Sequence, residues 1–151
     1  MNKTFWDAAV REDICRRMEA LTADTKPQWG KFNATEMLAH LNDAMRMAMG
    51  ELNVPAKKTK LPIRYAPLKQ LFIYALPWPQ GAPTAPELLS RGSSADFAKE
   101  KSEFRSVCER LGQKRASDLC PEHPAFGRMS HRAWGVLKYR HADHHLRQFG
   151  L

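Results

Sequence analysis

The sequence has no apolar run long enough to cross a bilayer. Its longest candidate, Leu71 to Leu76, is far short of the roughly 20 residues a span needs. It also lacks the basic-then-apolar opening of a secretory leader. The first residues, MNKTFWDAAVRED, are acidic and amphipathic, so the expected location is the cytoplasm. Cysteine is scarce: Cys15, Cys108 and Cys120 are widely spaced, odd in number and form no C-x-x-C pair. That argues against a disulfide framework and fits a reducing compartment. Cys120 is followed three residues later by His123, which permits a metal-ligand reading. A small loop or core thiol is the simpler one. No alternating strand pattern and no internal repeat is present, which argues against sheet and solenoid architectures.

The chain has 151 residues, a length that suits one domain spanning 1–151 with one core. Lys and Arg outnumber Asp and Glu by 24 to 16. Such an excess can attract nucleic acid or an anionic substrate. The charge is spread along the chain, however, and the only dense cluster is Lys57, Lys58 and Lys60 around Thr59. No basic stripe interleaved with aromatics and no nucleic-acid-binding motif is found, so a solvated basic surface is expected.

Helical periodicity recurs four times. Phe5, Ala9, Ile14, Met18 and Leu21 predict a first helix over about Thr4 to Leu21. Asn33 followed three residues later by Glu36 is close to a capping box and predicts the start of a second helix, which Gly50 stops. A third is expected from Ser93 or Ser94 to Gly112, and a fourth from a Ser130 cap to about Gln148, with Gly150 just beyond. Between the second and third lies residues 51–92, which holds seven of the ten prolines. No long helix can cross it, although Pro67 can open a short one, PLKQLFIYAL. A connection of this length reads either as a lid over a site or as a crossover between antiparallel halves. The expected fold is an all-α four-helix bundle.

Three of the six histidines fall within HADHH, at 141, 144 and 145. Positions four apart on a helix lie roughly 40° apart around the axis and stack one above the other. His141 and His145 can therefore direct two imidazoles at one ion, the spacing that paired histidines use in zinc enzymes. His144 shares that face only marginally, and Asp143 points largely away from it. A third ligand must come from another helix. His40 sits among Met37, Leu41, Ala44 and Met47 on the apolar side of the second helix. It is either a satisfied core histidine or that ligand. Three neutral imidazoles with an open position is how catalytic zinc sites are built, and imidazole also suits nickel, iron and copper. Glu36, four residues before His40, is either the cap partner or a general base, a fourth ligand or a hydrogen-bond acceptor for a ligand. Arg64, Tyr65 and Trp78 are candidates to line a substrate pocket. Trp134 reads as a core anchor and Gly135 as a place of close helix packing. His123 and His131 read as loop or cap residues.

Two segments carry a family resemblance. HPAFGRMSHRAWGVLKYRHADHHLRQFG, from His123 to Gly150, and WGKFNATEMLAHLNDAM, from Trp29 to Met45, resemble the DinB/YfiT-like superfamily of bacterial four-helix bundles, in a branch of uncharacterised function. HADHHLRQFG is similar to that superfamily's H-x-x-H-H-R-G-Q segment, with Leu146 intervening before Arg147. The resemblance implies helices in up-down-down-up order, with a long crossover between helices two and three. It implies a divalent metal, zinc or nickel foremost, held by His40, His141 and His145. It also implies a homodimer. Characterised relatives include metal-dependent thiol transferases and hydrolases, in which the metal activates a low-molecular-weight thiol or a water. The expected partner is thus such a thiol or another small-molecule substrate. The competing expectation is a non-catalytic metal- or ligand-binding bundle protein of stress response. The family name's link to DNA damage adds nucleic-acid binding as a third and weakest one.

Overall fold

A computed structural model describes residues 2–81, 84–89, 91, 94–118 and 121–151. The possible helix start at Ser93 and the possible ligand Cys120 lie outside the described residues. Within them the protein is all-helical: α1 (Ala8–Glu19), α2 (Ala34–Met49), α3 (Leu68–Tyr74), α4 (Phe97–Gly112) and α5 (His131–Gln148), with a 3₁₀ turn at Pro86–Leu88 before α4. No strand occurs among the described residues, only an isolated bridge between His123 and Gly127. None of these helices is long and apolar enough to cross a membrane.

Each long helix starts where a side chain can take up orphaned backbone N–H groups. Asp7, Asn33, Asp96 and Ser130 cap α1, α2, α4 and α5. The box at α2 is complete. Asn33 Oδ1 accepts from the Glu36 N–H, and Glu36 Oε2 accepts from the Asn33 N–H, both at 2.9 Å. Gly50 closes α2 in the left-handed conformation at φ 80°, which glycine adopts without penalty.

Two expected boundaries shift. The periodicity that places Phe5 in the first helix is real, but α1 begins after Asp7, because its carboxylate caps the turn. Phe5 instead belongs to an extended arm and is fully buried, its N–H donating to the Gly135 carbonyl at 2.9 Å. The third long helix begins at Phe97 because Asp96, not a serine, accepts from the Lys99 N–H.

α4 packs on α1 and α2, and α5 packs on α1, α2 and α3. The main core between them is built by Ile14, Met18, Met37, Leu41, Phe104, Leu111, Trp134 and Leu146, all buried. Cys15 and Cys108 are free thiols inside it. A smaller core seats α3 on α5 through Ile73, Val136 and Leu137.

Gly135 has a different role from the one its position in a helix suggests. A Cβ there would meet Thr4 Oγ1 at 2.2 Å and Trp6 Nε1 at 2.4 Å, both from the N-terminal arm. The missing side chain admits that arm, not a neighbouring helix. Trp6 then donates to the His131 carbonyl at 2.7 Å and stacks on the His131 ring, with centroids 4.2 Å apart.

Candidate metal centre

His40 lies nearly two turns into α2, on the face that carries Met37 and Leu41 into the core, and is 3 % exposed. His141 and His145 lie one turn apart on α5, the first half-buried and the second 8 % exposed. Because α5 packs directly on α2, the three rings meet. One ring nitrogen from each lies within 4.8 Å of the other two. The three ring centroids are each 4.9 Å apart, and every pair is close to perpendicular, at 86°, 72° and 70°. Rings stacked in a core for apolar contact alone would leave their nitrogens scattered. Here the nitrogen-bearing edges converge.

The outer hydrogen bonds decide which nitrogens are available. His40 Nδ1 lies 3.3 Å from the Leu88 carbonyl oxygen. A carbonyl only accepts, so Nδ1 carries the proton and Nε2 keeps its lone pair. His145 Nδ1 lies 2.8 Å from Gln148 Oε1, while Gln148 Nε2 donates to the Trp29 carbonyl at 2.7 Å. The Trp29 bond fixes the amide's orientation, so His145 Nδ1 also carries its proton. Two of the three rings are thus held with Nε2 unprotonated, by the kind of outer partner that metal-binding histidines use.

The electrostatics favour neutral rings. Burial pushes His40 down to about 4, against a smaller upward pull from the Leu88 hydrogen bond; the Lys138 ammonium depresses it further. Burial, with His40 nearby, takes His145 to about 3. His141 falls well below its usual range, again chiefly through burial and then through the neighbouring rings. Lys138, one turn before His141 on α5, is itself buried and donates to the Ala44 carbonyl at 2.7 Å.

The donor set fits a divalent ion of intermediate softness. Nitrogens sharing a tetrahedral zinc stand about 3.3 Å apart, given a Zn–N length of about 2.05 Å. His40 Nε2 and His141 Nε2 are 2.9 Å apart. Holding an ion would require that pair to open by a few tenths of an ångström and the wider pairs to close.

Aromatic rings wall the cluster. Phe32 lies 5.2 Å from the His40 ring and 5.7 Å from the His145 ring, and Trp78 lies 5.5 Å from the His141 ring. Arg140 places Trp78. Its guanidinium donates to the Phe72 and Ile73 carbonyls at the end of α3, and lies 6.0 Å from the Trp78 ring. Among the residues expected to line a pocket, Trp78 therefore reaches the histidines. Arg64 and Tyr65 instead line a cavity of about 530 Å³ with Lys57, Lys58 and Leu61, and Arg64 donates to the Pro124 carbonyl.

The remaining singled-out residues sit elsewhere. Glu36 spends its carboxylate on the Asn33 N–H, and no carboxylate joins the imidazole group among the described residues. Asp143 pairs with Arg17 on α1 at 2.8 Å. His144 packs between Trp29 and Trp78, with centroids at 6.1 and 6.0 Å, outside the group of three. His123 Nδ1 accepts from the Ala125 and Phe126 N–H groups, and His131 bonds the Lys114 carbonyl. Sequence reasoning did not find Leu88, Gln148 or Phe32. Only Gln148 left a signal: it follows His145 by three residues, on the same helical side.

A family model described as Protein of unknown function (DUF1569) matches residues 7–150. No curated protein and no solved structure matches the chain.

Proposed function

The chain belongs to the DUF1569 family of proteins of unknown function, and we propose that it is a divalent-metal-binding helical protein. In this reading it is a four-helix bundle of the DinB-like type, α1, α2, α4 and α5, with the Pro-rich stretch between α2 and α4 as its crossover. His40, His141 and His145 hold zinc or nickel. The observation that carries the reading is the convergence of three imidazole edges within 4.8 Å, two of them held by Leu88 and Gln148 so that Nε2 is free.

With three protein ligands, a bound ion keeps an open position, where it lowers the pKa of a water or thiol. The activity proposed is thiol S-transfer to a small electrophile, or hydrolysis, with a low-molecular-weight thiol or a water as nucleophile and a homodimer as the working form. The chain's own contribution is to keep three neutral donors aligned, and to shield them with Phe32 and Trp78. A second reading has one observation in its favour. Among the described residues no carboxylate joins the imidazoles, and Glu36 is bound to its helix cap, so no carboxylate base stands ready at the site. That favours a protein that binds metal or a ligand without catalysis.

Elemental analysis of protein purified without a histidine tag tests the metal. About one zinc or nickel per chain is expected, and none in the His141→Ala/His145→Ala variant. Full metal content in that variant would overturn the assignment. A panel of thiols, electrophiles and esters then separates the two readings: turnover supports the enzyme, and none supports the binding protein.

A further inference from the structure

The segment that supplies the Leu88 carbonyl is tied to α2 at two points. His40 meets Leu88, and three residues further on Asp43 meets Arg91. Both pairs are 48 residues apart in sequence, so the segment runs alongside α2 in a fixed register, with the 3₁₀ turn Pro86–Leu88 packed on that helix.

The second point is an ionic clamp. Arg91 Nε donates to Asp43 Oδ2 at 2.9 Å, and Nη2 to Asp43 Oδ1 at 2.8 Å. Its Nη1 reaches Glu100 Oε1 on α4 at 2.6 Å. Both carboxylates are buried, with side chains 6 % and 2 % exposed. Burial alone would raise Glu100. The bonds from Arg91 and from Asn42 Nδ2 outweigh it and hold the carboxyl below its usual range. A forked, always-charged donor meets two acids on two helices with a pair of bonds to each, a geometry that a lysine ammonium does not reproduce. The clamp therefore fixes where Arg91 and the nearby 3₁₀ turn Pro86–Leu88 lie against α2, and with them the acceptor that sets the His40 ring.

We infer that Arg91 is a positioning residue for the imidazole cluster: by clamping Asp43 and Glu100 it holds the Leu88 carbonyl on His40 Nδ1, and so keeps His40 Nε2 free to bind metal. The effect on metal rests on the metal-binding reading above. The effect on the ring does not. Outer partners of metal-binding histidines change affinity by roughly 10–100-fold when lost, and Arg91 acts on such a partner.

Two readouts separate the possibilities. In the metal-free protein, long-range ¹H–¹⁵N spectra should show His40 as the Nδ1–H tautomer, and as a mixture in Arg91→Gln. In zinc titrations against a chelator, Arg91→Gln should bind at least about 10-fold more weakly. Arg91→Lys should recover only part of that loss. Arg46 also pairs with Asp43, at 3.0 Å, and with Glu103, but lies on α2 itself. Arg46→Gln disturbs the same acid without freeing the segment, and should leave the His40 tautomer and zinc affinity unchanged. If Arg91→Gln does not fold, the neutral variant Arg91→Met/Asp43→Asn/Glu100→Gln removes the clamp without stranding buried charge, and should show the same tautomer mixing. An unchanged His40 tautomer in a folded clamp variant would overturn the inference, whatever the zinc data. Absence of zinc binding by the unaltered protein would instead overturn the metal reading and leave the tautomer test standing.

Discussion

His40 on α2 and His141 on α5 face each other with their Nε2 atoms 2.9 Å apart, although 101 residues separate them in sequence. Two nitrogens at that distance must share one proton or one cation. His40 Nδ1 already carries its ring's proton toward Leu88. Between the two Nε2 atoms the metal-free pair therefore holds one hydrogen, donated by His141 Nε2.

The buried rings make stability depend on pH. His40 in the folded protein titrates near 4, and His145 near 3, against about 6.5 in an unfolded chain. Above about 6.5 neither state is protonated and these rings contribute no pH dependence. Below it the unfolded state gains protons that the folded state refuses, so stability falls as pH drops from about 6.5 toward 4. His40 alone removes about 3 kcal/mol by pH 4, from a shift of about 2.5 units at 1.36 kcal/mol each. Denaturant melts of the metal-free protein at pH 7 and pH 4.5 check this, and His40→Phe should flatten the dependence.

Gln148→Leu removes the acceptor of His145 Nδ1 and the donor to the Trp29 carbonyl together. Zinc affinity should fall roughly 10–100-fold. Competition against a fluorescent chelator measures the change.

Glu36→Gln should leave zinc affinity unchanged, because the carboxylate bonds the Asn33 N–H, which a glutamine oxygen can also do. Asn33→Ala should cost about 1 kcal/mol through loss of the cap. Thermal melts of both, with zinc titration of the first, distinguish cap partner from metal ligand. A Glu36→Gln protein that lost zinc would return Glu36 to the site.

Gly135→Ala should destabilise by about 1–3 kcal/mol, the usual cost of overpacking, because its Cβ would overlap Thr4 and Trp6. The arm should loosen, freeing Trp6 from His131. A melt and the Trp6 indole N–H resonance read the two effects.

The helices that hold the histidines were legible because their signals are local. Asn33, Glu36 and Gly50 bound α2, Ser130 opens α5, and the four-residue spacing of His141 and His145 places both on one side of a helix. Bringing His40 to them needed the family resemblance, since an apolar stripe around a histidine suits core and site alike. Leu88 and Arg91 were not legible. They act from a proline-rich stretch with no period, and nothing local tells which helix it folds against. Phe5 and Gly135 were misjudged for the same reason: helical spacing was read where a folded-back arm makes the contact. Trp78 was separable from Arg64 and Tyr65 only once Arg140 was seen to fasten the end of α3.

X-ray absorption at the zinc edge of the loaded, untagged protein bears most directly on the three-histidine centre. Three imidazole nitrogens at about 2.0–2.1 Å are expected, with one further light atom at the open position. A sulfur shell near 2.3 Å, or fewer than two imidazoles, would contradict it.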